Sequence, residues 1–345
     1  MPGLGVTAFI PSLFQEPVWV SAIHKVRLGV YSPLVRVLYP SPTIPYMRFF
    51  PWLIVPVLLV LLLIVANEYA TAQPSRRTAD VPYVPATDTA FSAERHLLDV
   101  YAPRKKASAL RPVVVFMHGG SWNSGQKNFY SFIGRRLAKQ GVVAVVINYR
   151  LAPQVRVPQM ADDCARAVIW ATEHIREYGG DPQRIFTMGH SAGGGLAALL
   201  AADNRLFARR GLAQNPVRGA ILDDPAGLDM YDYLQKMEYG NDAQYLVPFG
   251  TDPAVWRETS ALYHVTAASP PFLIFIGGET YPSIRNSSQK FRDKLVSLGR
   301  PPLYAVLPGK KHVPMVLQLY WKNNVIYREL LTLVNAPHGQ ATNRQ

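Results

Sequence analysis

The run Gly189-His-Ser-Ala-Gly193 follows the apolar stretch Arg184-Ile-Phe-Thr-Met188 and precedes a small, helix-forming run from Gly194 to Ala202. Glycines on either side of a serine permit a tight strand-to-helix turn that lifts the Ser191 hydroxyl above a sheet, within reach of a base. The helix that begins there aims its backbone N–H groups at the same point. The chemistry implied is attack by the Ser191 hydroxyl on a carbonyl carbon. A second motif, Phe116-Met-His-Gly-Gly-Ser-Trp122, ends another apolar run. Glycines in such a turn leave backbone N–H groups open to a substrate. Gly120 and Ser121, with Ala192, are therefore the expected donors to the oxyanion of a tetrahedral intermediate. Trp122 is expected to wall the pocket, and His118 to brace the loop.

A serine nucleophile needs a base. His312 stands in Pro308-Gly-Lys-Lys-His-Val-Pro314, after the last apolar run and before a helical pattern from Met315. His96 and His118 precede the nucleophile, His174 lies inside a helical stretch, His264 follows one, and His338 sits in a polar tail. His312 is thus the expected general base. Lys310 and Lys311 add positive charge beside it, so a carboxylate partner matters.

Positioning these groups requires a sheet whose strands end at one edge. Val113–Met117, Val142–Ile147, Ile185–Met188, Ala220–Leu222, Phe272–Ile276 and Leu303–Leu307 are short, nearly continuous apolar runs bounded by Gly or Pro, as buried parallel strands require. Between them, Pro158–Tyr178 sets Met160, Cys164, Ala167, Val168, Ala171 and Ile175 on one helical stripe. Cys164 falls among these core positions and reads as a packing residue. Phe291, Leu295 and Leu298 form a similar stripe. Alternating strands and helices predict a doubly wound α/β fold with its chemistry at the carboxyl ends of the strands.

The 345 residues are 49% hydrophobic and 17% charged, enough to bury a large core. The net charge of +13 is spread along the chain and accompanies no nucleic-acid motif, so no nucleic-acid partner is expected. One cysteine excludes an intrachain disulfide. Residues 1–48 form a basic, Pro-containing segment. Phe49–Ala66 is an uncharged run about the length of a membrane-spanning helix. Positive charge before it places the following domain on the non-cytoplasmic side. Read from Met47, the same run is the core of a signal peptide, with Ala70-Thr-Ala72 as the cleavage site; the product is then periplasmic or secreted. An upstream start codon would make the first residues an artefact. Residues 67–90 read as a polar, Pro-rich linker, and 91–345 as one domain.

The segments HGGSW, NYRLAPQVRVPQMADDCARAVIW and EYGGDPQRIFTMGHSAGG together resemble the α/β-hydrolase family. The likeness is to its carboxylesterase branch, with prenylcysteine methylesterase, feruloyl-esterase-like and kynurenine-formamidase-like members. It runs from about Leu97 to Leu333 and implies the order serine, acid, histidine, with a small helical cap after the sixth strand. The cap falls at about 229–264, whose aromatics, Tyr231 and Trp256 among them, are expected to roof a hydrophobic pocket. The resemblance also implies an acid after Phe272–Ile276. Aligned on Pro282, its place falls on Thr280, which cannot carry the charge. Glu279, one residue earlier and one methylene longer than Asp, is the expected acid. Asp223 or Asp224 is the alternative, since some members of the fold place the acid after the preceding strand; a third possibility is that none remains. The expected function is a serine carboxylesterase acting on a small or lipid-like ester, with neither metal nor organic cofactor. An amidase or formamidase would use the same residues, and a membrane-associated, non-catalytic binding protein is the reading from another class.

Overall fold

A computed structural model describes residues 75–336 apart from Lys106 and Tyr239. The 1–48 segment and the apolar 49–66 run lie outside the described residues. Among the described residues, no helix is long and apolar enough to cross a membrane.

Eight strands form one sheet: β1 Ser75–Pro82, β2 Leu97–Pro103, β3 Arg111–Met117, β4 Val143–Ile147, β5 Gly180–His190, β6 Val217–Asp223, β7 Phe272–Gly277 and β8 Leu303–Leu307. Their spatial order is β1-β2-β4-β3-β5-β6-β7-β8. The pairs β1–β2 and β2–β4 are antiparallel, and the rest are parallel. The helices are α1 Ser131–Lys139, α2 Val157–His174, α3 Ala192–Ala202, α4 Arg205–Ala208, α5 Met230–Lys236, α6 Leu246–Phe249, α7 Pro253–Glu258, α8 Pro282–Ser297, α9 His312–Leu317 and α10 Val325–Val334.

Side chains alternate across each strand, so a sheet covered on both faces needs apolar residues at every position. Val113, Val115 and Met117 of β3 enter a core with Met160, Cys164 and Val168 of α2 and with Leu196 of α3. Val114 and Phe116 enter the opposite core, with Ile133 and Leu137 of α1 and Leu330 of α10. Cys164 is fully buried, and that burial pushes its thiol pKa well up.

Part of the stretch read as a linker is strand β1. Its sequence, SRRTADVP, is mostly exposed and therefore shows no apolar alternation. Pairing holds it instead: Arg77 Nε donates to Asp99 at 2.9 Å, and buried Lys127 Nζ lies 2.6 Å from both Asp80 and Asp99. Between β6 and β7 the chain runs through α5, α6, α7 and short 3-10 turns, the segment expected as a cap.

Candidate active site

Ser191 stands between the end of β5 and the start of α3 with φ 55° and ψ −125°. Such a backbone costs a non-glycine residue about 1–3 kcal/mol and persists only where its surroundings enforce it. Those surroundings are close. A Cβ on Gly189 would lie 2.1 Å from the Gly193 carbonyl oxygen, and one on Gly193 would lie 2.2 Å from that of Met117. Both glycines of the motif are thus required by contact. The Ser191 N–H donates to Asp223 O at 3.1 Å, and its carbonyl accepts from Ala226 N at 2.9 Å.

His312 opens α9, and its Nε2 lies 2.9 Å from Ser191 Oγ. Its Nδ1 lies 2.6 Å from Asp224 Oδ2. With Nδ1–H donating to the carboxylate, Nε2 is left to accept the serine proton. Asp224 follows β6 directly, is fully buried, and has φ 48°, a left-handed conformation that Asp tolerates better than most residues. Its N–H donates to Phe275 O at 2.7 Å, and its Oδ1 accepts from Gly277 N at 2.8 Å. The Thr280 hydroxyl donates to Oδ2, the oxygen that meets His312.

Glu279 is therefore not the carboxylate that meets His312. It is exposed in the turn after β7, and its backbone N–H ties that turn to the histidine loop by a 2.9 Å bond to Lys310 O. The next residue, Thr280, is the one that points inward, 7% exposed, and it carries a hydroxyl. Of the acids left open after β6, Asp224 takes the place and Asp223 does not. Asp223 instead lies 3.1 Å from His190 Nδ1, and its Oδ1 has no partner among the described residues. Burial pushes the Asp223 pKa up, opposed by its bond to His190. The His190 ring packs on the His312 ring at 4.7 Å, and the Tyr281 ring lies 5.2 Å from it. The sequence gives no role to Tyr281 or His190, and marks Thr280 only as the place where the family's acid is missing.

The glycine turn after β3 abuts the nucleophile, since a Cβ on Gly119 would sit 3.1 Å from that of Ser191. Gly120, Ser121 and Trp122 have φ of 130°, 50° and 61° in succession. Gly120 O accepts from Asn123 N at 3.1 Å and Ser124 N at 3.0 Å, which closes the turn. A Cβ at Gly120 would approach Ser124 O to 2.2 Å, so only glycine fits there. Beneath it, His118 Nδ1–H donates to Gly119 O at 2.9 Å, and the ring stacks on Tyr149 at 4.4 Å. Burial pushes its pKa down to about 3, so it stays neutral and structural.

A cavity of about 730 Å³ opens over Ser191, between the cap and α8. Trp122 lines it, packed edge-on against Phe249 at 4.8 Å. Tyr231 and Trp256 do not: Tyr231 packs against Tyr263 at 5.8 Å, and Trp256 turns inward to bond Gly250 O at 2.9 Å. Tyr233, Tyr245 and Tyr281 line it in their place. The wall is more polar than the aromatic count of the cap suggested. Lys290 of α8 reaches Asp229 at 3.1 Å and Asp232 at 2.6 Å, and Asn241 and Gln244 also face the cavity.

Residues 98–295 match the model of the BD-FAE family, more than half of the chain. The chain belongs to the BD-FAE family. The BD-FAE match contains the glycine turn, Ser191, Asp224 and Thr280, and it ends before His312. A probable isoprenylcysteine alpha-carbonyl methylesterase of Arabidopsis thaliana is 29% identical over 273 residues, covering 73% of this chain and 56% of that protein. Esterase LipC of Mycobacterium tuberculosis is 30% identical over 226 residues, covering 63% and 56%. The chain thus spans little more than half the length of either relative. Esterase B from Lactobacillus rhamnosis superposes with a TM-score of 0.64 at 22% identity, over 81% of this chain and 95% of that one, which shows the α/β-hydrolase fold.

Proposed function

We propose that the chain is a serine carboxylesterase. The observation that carries this reading is the unbroken line from Ser191 Oγ through the His312 ring to buried Asp224, at 2.9 and 2.6 Å. Ser191 Oγ attacks the ester carbonyl carbon while His312 Nε2 takes its proton. Backbone N–H groups of Gly120, Ser121 and Ala192 bind the oxyanion, each worth on the order of a hundredfold in rate. The tetrahedral intermediate then expels the alcohol, which receives the proton from His312, and leaves an acyl group on Ser191. Water, activated by the same imidazole, hydrolyses the acyl-enzyme. Asp224 holds the imidazole in its working tautomer and balances the charge it gains. The esterase and methylesterase names of the relatives support an ester bond as the target; the relatives' own substrates define no narrower class for this chain.

Fluorophosphonate labelling tests the reading. Wild-type protein is expected to label, and Ser191→Ala to lose both labelling and turnover of short-chain nitrophenyl esters. An unlabelled, folded wild type would contradict the hydrolase reading. We further place the domain on the non-cytoplasmic side of a membrane, on the support of the apolar 49–66 run and the basic residues before it. N-terminal sequencing tests the form: a mature chain starting at Gln73 excludes the anchor.

A further inference from the structure

The last part of the site is carried by an unusual surface. In α9 and the turn after it, Met315, Val316 and Leu319 point into the core. Val313, Leu317, Tyr320 and Trp321 point out, with exposures of 57%, 53%, 58% and 62%. Val313 and Leu317 are four residues apart and share one side of α9, after which a 3-10 turn carries Tyr320 and leads to an extended Trp321. These are four of the ten large apolar side chains most exposed among the described residues, gathered within nine consecutive positions. The surface continues across the fold: the Tyr320 ring lies 5.5 Å from that of Trp321 and 6.1 Å from that of Phe132 on α1. Exposed apolar side chains gathered in this way mark an interaction site.

Its composition selects the partner. Between Arg300 and Arg328 the chain has Lys310, Lys311 and Lys322 and no acidic residue, so both ends of the apolar row are flanked by lysine. Arg136 adds a fourth basic position by donating to Tyr320 O at 2.6 Å. Tryptophan and tyrosine beside lysine and arginine is the chemistry of the boundary between lipid headgroups and acyl chains, with the cations on anionic headgroups. A protein partner of matching shape would be expected to meet an apolar row without this cationic border. The same segment begins with His312, so whatever docks here meets the mouth of the catalytic cavity, which His312 and Tyr281 both line.

We propose that Val313, Leu317, Tyr320 and Trp321, bordered by Lys310 and Lys311, form a docking face for an anionic lipid surface. The face brings an ester held in that surface to Ser191. The docking itself stands on the patch alone, and only its consequence for substrate rests on the esterase reading. Bound this way, Trp321 enters the headgroup region and exposed Lys311 neutralises acidic headgroups, with no change in covalent structure.

The full chain, mixed with phosphatidylcholine vesicles with and without phosphatidylglycerol, tests this. Lipids brominated in the acyl chain quench tryptophan emission on contact, and the difference between wild type and Trp321→Phe isolates residue 321. The expected result is a quenched component present in wild type, larger in anionic vesicles, and missing in Trp321→Phe. Val313→Ser with Leu317→Ser keeps the reporter and lowers its quenching. Lys311→Gln weakens docking about fivefold on anionic vesicles, with less effect on neutral ones. Equal quenching of wild type and Trp321→Phe would overturn the proposal. So would a Trp321 already shielded from aqueous acrylamide before vesicles are added, which would mean that the 49–66 run or a second copy covers the face. Fluorophosphonate labelling in the same samples separates the two readings. Quenching lost with labelling kept rejects the docking alone; labelling lost with quenching kept rejects the esterase alone.

Discussion

The carboxyl ends of β6 and β7 lie side by side in the sheet, and each offers an acidic residue near the histidine loop. They differ in where the chain turns. β6 ends in Asp224, whose left-handed backbone turns its carboxylate across the end of β7, where Gly277 N–H and the Thr280 hydroxyl hold it. β7 ends in two glycines, after which Glu279 faces water and Thr280 faces inward. The position that the family resemblance assigns to the acid is therefore still part of the arrangement, as a donor to the acid rather than as the acid. One carboxylate serves both strand ends, and the neighbouring backbone N–H and hydroxyl fix its direction.

Variants at the two ends give a graded test. Asp224→Asn is expected to lower kcat/KM for a nitrophenyl ester by about ten-thousandfold, because the amide no longer enforces the working tautomer or balances the imidazolium. Thr280→Val should follow, with a loss of roughly ten- to a hundredfold, the scale of one hydrogen bond to a charged group. A Thr280→Ser enzyme that regains most of the rate would attribute that loss to the hydroxyl. Asp223→Asn, one residue from the acid, should cost less than about tenfold, since its carboxylate bonds His190 rather than His312. Steady-state kinetics in which Asp223→Asn fell as far as Asp224→Asn would erase the distinction between these neighbours. Glu279→Gln should change the rate by less than about twofold, as for exposed side chains away from such features.

Much of the site was legible because its parts are local. The Gly189–Gly193 motif and the Gly119-Gly120 turn are written in glycines that the contacts demand, and each follows an apolar run that became a strand. His312 was legible by elimination and by its place after β8. The acid was not, because its identity depends on how β6 and β7 sit side by side and which residue turns inward, and neither leaves a periodic mark. Strand β1 was missed for a related reason: it is a polar edge, recognised by its partners Asp99 and Lys127 rather than by its own pattern. The cap shows the limit of composition. Its aromatics divided between cavity and packing, Tyr233 and Tyr245 facing one way and Tyr231 and Trp256 the other, with charged Lys290 and Asp232 reaching the same cavity.

The most direct measurement compares the second-order rate of fluorophosphonate labelling of Ser191 in wild type, Asp224→Asn and Glu279→Gln, each checked as folded. Labelling reports the activated serine before any leaving alcohol or acyl-enzyme step intervenes. The expected result is a Glu279→Gln rate within about twofold of wild type, with Asp224→Asn slower by about a thousandfold or more. The reverse order, with Glu279→Gln crippled and Asp224→Asn intact, would contradict the assignment of Asp224 as the partner of His312.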